Sequence, residues 1–188
     1  MRKIDSKYQE KKRGKRNQLI LGFILIFVMF FSVIGYSFQG IISNDNTLEE
    51  FNYNGFEFTE QNGFWILNKN NINFIFKYHP NEVPKINSEL KNLNNYNGKP
   101  LYISSESIEA ESEIYTNLFQ SVERIQNACL KECDENLPIK TCEDNFIIIK
   151  EGDEKIVQDN NCVFITGKTE DLTKLADEFL FKILEIKS

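Results

Sequence analysis

The longest uninterrupted apolar stretch of the chain runs from Leu19 to Phe38 (LILGFILIFVMFFSVIGYSF) and carries no charged residue. About 20 such residues are what a helix needs to cross the hydrocarbon layer of a bilayer. The pattern therefore predicts a transmembrane helix over 18–38. Beyond it, residues 39–54 (QGIISNDNTLEEFNYN) are polar, acidic and without periodicity, and they read as a linker. Residues 55–188 are left as one folded domain, a size at which a single hydrophobic core is expected.

Within that domain the apolar spacing alternates between period two and the helical period. Phe56 to Thr59 and Phe64 to Asn68 flank Asn62-Gly63, a pair suited to a tight hairpin turn. Ile72 to Tyr78 alternates with Phe74 and Phe76 toward the core, so the three segments predict a meander that ends at Pro80 and Pro84. Lys85 to Leu93, with Ile86, Leu90 and Leu93 in phase, predicts a short helix, and Leu101 to Ser104 a strand. The run from Ser105 to Glu113 opens a long helix whose buried stripe is Ile114, Leu118, Val122, Ile125 and Cys129. Phe146 to Lys150 and Lys155 to Gln158 flank Glu151-Gly152-Asp153-Glu154 as a second hairpin, followed by a strand over Cys162 to Thr166. The last helix, Asp171 to Ile186, has Thr169 placed as N-cap and Lys174, Asp177, Glu178 and Lys182 on its outer side. The expected class is α+β: a mixed β-sheet with helices packed on it. The abundance of Asn reads as a compositional bias rather than a functional signal.

Charge decides what the basic N-terminus means. Residues 1–17 hold eight basic and two acidic side chains, a local +6, whereas the remaining 14 basic and 26 acidic residues leave −12. Lysine and arginine beside a first span stay in the cytoplasm, so 1–17 is expected to be a cytoplasmic tail, 18–38 a signal anchor, and 55–188 an extracytoplasmic domain. The acidic domain argues against nucleic acid as a partner. The apolar run exceeds the core of a cleavable secretory signal, which favours a retained anchor.

All four cysteines, Cys129, Cys133, Cys142 and Cys162, fall in the outer domain, as an even number does when two disulfides form in an oxidising compartment. A four-thiolate zinc site is the rival, but only Cys129 and Cys133 make a close pair. If the strands fold back near Gly152, Cys142 lies across from Cys162 and Cys129 is left to join Cys133. The alternative, Cys129 to Cys162 and Cys133 to Cys142, avoids fraying the long helix and is the favoured expectation.

From Ile72 the order of elements is strand, helix, strand, helix, strand, strand, helix. This βαβαββα order, preceded by a β-hairpin, resembles the thioredoxin-like fold, and FIIIKEGDEKIV before a closing helix is similar to its terminal hairpin. The family places C-x-x-C after the first strand, and here that place reads His79-Pro80-Asn81-Glu82, so redox catalysis does not carry over. The closing stretch NCVFITGKTEDLTKLADEFLFKIL, with the cysteine spacing before it, is similar to segments of uncharacterised membrane-anchored archaeal proteins. That resemblance implies an exported archaeal domain without an assigned activity.

No cluster identifies an active site, and no catalytic residue, metal ligand or cofactor is assigned. His79 is the sole histidine and reads as a turn residue with Glu82 nearby. Glu106, Glu109, Glu111 and Glu113 suit the positive end of a helix dipole better than a calcium loop. Glu143 and Asp144 read as the polar approach to a strand pinned by a disulfide. Trp65 and the phenylalanines of the meander read as sheet packing. The expected function is a membrane-tethered, non-enzymatic binding or accessory domain whose partner is a protein or surface polymer outside the cell. An exported thiol–disulfide protein using Cys129 and Cys133, or another exported enzyme, and a structural subunit of a surface filament or secretion complex, are the alternatives. The first is disfavoured because the helix end expected at Cys129 would raise its thiol pKa.

Overall fold

The computed structural model of the chain describes residues 50–131, 133 and 136–187, together with Leu25, Val28 and Met29. The expected tail (1–17), nearly all of the expected span (18–38) and the linker as far as residue 49 lie outside the described residues. Leu25, Val28 and Met29 are helical and exposed. Among the described residues no helix is long and apolar enough to cross a membrane. The chain divides into two units, Met1–Thr47 and Leu48–Ser188, and the second is a mixed α+β domain.

It opens with an antiparallel four-stranded meander: β1 (Glu50–Tyr53), β2 (Phe56–Gln61), β3 (Phe64–Lys69) and β4 (Ile72–Phe76), in that spatial order. The expected linker therefore ends earlier than residue 54, because Phe51 and Tyr53 alternate with Glu50 and Asn52 and Phe51 stands opposite Phe58. Each turn is a two-residue pair with positive φ: Asn54-Gly55, Asn62-Gly63 and Asn70-Asn71, with φ from 51° to 84°. Left-handed pairs match the twist of the flanking strands, and Asn and Gly adopt them at the least steric cost. Phe58, Leu67 and Phe74 form one cross-strand row, Phe76 stands opposite Trp65, and all but Trp65 are buried.

The second sheet contains β5 (Pro100–Ser105), β6 (Arg124–Asn127), β7 (Asn145–Glu151), β8 (Lys155–Asp159) and β9 (Cys162–Gly167) in the order β6-β5-β7-β9-β8. It is mixed, as expected, with only β8 antiparallel to its neighbour. The strand at Ile72 belongs to the meander, as its alternation predicts, and so does not open a βαβαββα order within this second sheet. The expected hairpin fails, because β7 and β8 do not pair. Instead β9 lies between them, so the arrangement departs from the thioredoxin-like terminal hairpin. Composition explains the order: β7 and β9 are continuous apolar runs suited to interior positions, while β8 exposes Lys155, Val157 and Asp159 and takes the edge. The segment after β7 crosses the end of β9, where Gly152 N donates to Gly167 O at 3.0 Å and Thr166 Oγ1 donates to Asp153 O at 2.5 Å.

Helix α1 (Ile108–Leu118) starts where expected, with Ser107 as N-cap accepting from Ala110 N. It stops eleven residues short of Cys129. The chain beyond Leu118 is drawn into the sheet: Gly98 N donates to Ser121 O, Glu123 N to Lys99 O, and Ile125 sits in β6 beside Leu101. The helix expected over Lys85 to Leu93 does not form, and only a 3-10 turn over Leu93–Asn95 follows. Ile86 and Leu90 are four apart, which fits period two as well as a helix turn. Backbone amides in this segment go to side chains elsewhere, Ile86 N to Glu178 Oε1 and Lys91 N to Gln158 Oε1.

Helix α2 (Leu172–Ile183) begins with Asp171 rather than Thr169 at its N-cap, since Thr169–Asp171 forms a 3-10 turn of its own. It has no free outer side at its centre: Asp177 and Glu178 are 0% and 1% exposed. Phe181 packs on Phe58 and Phe76 of the meander, while Leu172, Leu175 and Phe179 share one core with Leu101, Ile147 and Ile165 of the second sheet. Both helices thus lie in the core that joins the two sheets. The opposite face of the second sheet carries a smaller cluster, Tyr102, Ala128, Phe146, Ile148 and Cys162, packed by Leu130 and Cys142 of the cysteine-bearing loop.

Candidate functional site

All four cysteines are in disulfides, as expected, but in the pairing that was not favoured: Cys129–Cys133 and Cys142–Cys162. The objection to Cys129–Cys133 was a helix that would have to fray, and no helix is there. Cys129 follows β6, its N–H donates to Pro138 O, and its carbonyl accepts from Lys140 N. The same placement removes the helix-end argument about its thiol. Cys142 meets Cys162 with Cα atoms 4.9 Å apart, but not across a fold-back at Gly152. Cys142 lies just before β7, its carbonyl accepts from Asn161 N, and Phe146, opposite Cys162, donates to Asn161 O. The bridge anchors the loop on the start of β9. A polar contact holds the same loop from above: Tyr102 Oη accepts from Arg124 Nη2 at 3.0 Å, and Lys140 Nζ stands 4.2 Å from the Tyr102 ring centre. Hydrogen bonds from Lys140 and Arg124 hold the Tyr102 phenol below its ordinary pKa.

The densest buried polar chemistry lies along the free edge of β4. Asn117 of α1 closes that edge by accepting from Ile75 N and donating to Ile75 O, both at 2.7 Å. One step on, Tyr78 N donates to Asp177 Oδ2 at 2.9 Å. These side chains do for the edge what another strand would do. The carboxyl of Glu113, from α1, faces Asp177 from α2, and both are raised above the ordinary carboxylate range, first by burial. The negative charge of Glu113 raises Asp177 further, against the backbone amides of Tyr78 and Lys77. Among the described residues no donor reaches Asp177 Oδ1. Two ionised carboxylates have no proton to share, so this oxygen is satisfied only when the pair holds one. Asp177 has no access to solvent, and through it and Asn117 the two helices hold the edge of the meander.

A second buried charge is nearby. Glu178 Oε2 and Lys187 Nζ are 2.6 Å apart, with side chains 1% and 5% exposed. Burial raises Glu178, partly offset by Lys187.

The remaining residues singled out in the sequence take structural places. His79 accepts from Asn81 N through Nδ1, stands 3.7 Å from Glu82, and packs against Phe51 and Trp65 at ring-centre distances of 4.8 and 5.1 Å. Glu109 and Glu111 lie in the first turn of α1, and Glu106 accepts from Glu151 N. Asp144 pairs with Lys140 at 3.6 Å, and Glu143 N donates to Thr141 Oγ1. Phe64 is the exposed member of the meander aromatics. Among the described residues no group of three or more His, Cys, Asp or Glu side chains is placed to hold a metal.

The buried carboxyls were missed in the sequence because Asp177 and Glu178 fall on the polar arc of an amphipathic helix. Nothing local shows that the meander covers this arc. The chain matches no family model, no curated protein and no solved structure.

Proposed function

We propose that this protein is a membrane-tethered binding or accessory domain acting outside the cytoplasm, anchored by a transmembrane helix over 18–38 with the basic tail inside. The observation that carries the reading is the pair of disulfides, Cys129–Cys133 and Cys142–Cys162, which persist in an oxidising compartment. The +6 tail beside an uncharged 20-residue run supplies the matching topology. The exposed, helical Leu25, Val28 and Met29 within that run fit a segment whose apolar side chains face lipid. The two disulfides brace the second sheet and its loop, which we take as the part of the domain facing a protein or polymer partner.

Protease added to intact cells tests the placement. The domain should be removed and the N-terminal tail spared, with the membrane fraction retaining the anchor after alkaline carbonate extraction. A domain protected from external protease would contradict the reading.

A further inference from the structure

Three lysines converge where an acidic domain has little positive charge to place. The region beyond residue 17 carries 14 basic and 26 acidic side chains. Yet Lys85, Lys182 and Lys187 line one cleft of about 360 Å³, formed by the end of β1, the extended segment after Pro84 and the last turn of α2. A single carboxylate, Glu178, lines it with them. Glu178 is buried and occupied: it accepts from Lys187 Nζ at 2.6 Å and from Ile86 N at 3.4 Å. This pair anchors Lys187 in the wall. Asn54 Nδ2 donates to Ile186 O at 3.0 Å and fixes the chain on the other side. Lys85 and Lys182, by contrast, have no carboxylate within salt-bridge distance among the described residues.

Three ammoniums against one carboxylate leave an excess of two positive charges in a concave site. Unpaired lysines normally spread into solvent to reduce their repulsion, and here three line a common space. We propose that this cleft binds a phosphate-class anion, with Lys85 and Lys182 as its charge partners, Lys187 as the buried third, and Asn87 as a neutral hydrogen-bonding group in the lining. The two excess charges match a phosphate dianion or monoester, and the volume admits a small substituent. The inference rests on the binding-domain reading above and names its ligand chemistry. That chemistry has two sources, a free phosphate compound or the phosphate of a lipid headgroup.

The test uses the full chain purified in neutral detergent. Inorganic phosphate is titrated by calorimetry at constant ionic strength, with chloride as the control anion. Separately, melting is followed in micelles doped with phosphatidylglycerol or phosphatidylcholine. Lys85→Gln and Lys182→Gln remove the unpaired charges and leave the Glu178–Lys187 contact in place, Lys182 acting on Glu178 only through its charge, and Lys168→Gln, at an exposed site outside the cleft, is the control. Saturable binding is expected, weakened about tenfold by each cleft variant and unchanged in the control, since a hydrogen bond to a charged group contributes about 1.5 kcal/mol or more. Loss confined to the phosphate arm assigns a free anion, and loss confined to the phosphatidylglycerol arm assigns a headgroup. The absence of saturable binding in both arms, or equal binding by the double variant K85Q/K182Q, would overturn the proposal. A negative result here leaves the protease experiment free to succeed, so the two readings fail separately.

Discussion

Replacing Asp177 with Asn should stabilise the domain at neutral pH. Asp177 is 0% exposed, its Oδ2 accepts from Tyr78 N, its Oδ1 accepts from no donor among the described residues, and the negative charge of Glu113 acts on the same carboxyl. Asparagine is isosteric, keeps an acceptor for Tyr78 N, and puts an N–H in place of Oδ1, in a carboxyl group on which the Glu113 charge acts. The variant thus exchanges a buried repulsion for a hydrogen bond to a charged group, an interaction that contributes about 1.5–3 kcal/mol. Part of the gain is offset because the native pair relieves itself by holding a proton, so the expected net at pH 7 is about 1–3 kcal/mol. For a domain of this size that raises Tm by about 4 °C per kcal/mol. The sign with pH follows from linkage. Both carboxyls are raised above their unfolded values of 3.8 and 4.5, so their stabilisation is complete below those values and is lost as pH rises through the folded pKa. The wild-type protein should therefore gain stability relative to Asp177→Asn as pH falls from 7 toward the carboxylate range. Glu178 is also raised by burial but is common to both proteins, and Lys77, the nearest cation to Glu113, does not change. The difference between the two curves isolates the pair. Urea denaturation of both proteins between pH 5 and pH 7.5 measures it. A variant less stable than wild type at pH 7, or two curves that run parallel, would refute the reasoning.

Opening the Cys142–Cys162 bridge as a double serine variant should cost about 3 kcal/mol and opening Cys129–Cys133 about 2 kcal/mol, following loops of 20 and 4 residues, as read from urea midpoints. Asn117→Leu should cost about 2–3 kcal/mol by leaving Ile75 N–H and C=O unpaired, and hydrogen exchange should show the Ile75 amide opening first. Gly167→Ala should cost about 1–3 kcal/mol, because its Cβ would fall 2.3 Å from Cδ1 of the fully buried Leu175. A Tm unchanged in Gly167→Ala would mean that Leu175 has room to turn aside.

Elements with one unambiguous period were legible in the sequence: β2, β3, β4, β5 and α2 fall where the apolar spacing puts them. Ambiguous spacing misled. Ile86 and Leu90 suit both a helix and an extended chain, and side-chain acceptors on α2 and β8 decided for the extended form. Val122, Ile125 and Cys129 continue the stripe of α1 at helical intervals, yet the parallel ladder of β6 with β5 claims Ile125. The insertion of β9 between β7 and β8 is a long-range choice that a short turn motif such as Glu151-Gly152-Asp153-Glu154 does not encode. The oxidised state of the cysteines followed from their even number and the compartment expected from the charge pattern, whereas their pairing depended on a helix boundary. The Asn-rich stretches carried more structure than expected, supplying five of the six positive-φ non-glycine residues among the described residues. The lysine cleft brings together residues from 53 to 187, with no local signal in any of the segments that form it.

The redox state of the cysteines in the living cell bears most directly on the placement of this domain outside the cytoplasm. Cells are quenched in acid, free thiols are alkylated, and the unreduced protein is digested and mapped by mass spectrometry. All four cysteines should be protected from label, with linked peptides joining Cys129 to Cys133 and Cys142 to Cys162. Labelling of two or more of them on the native protein would contradict the account.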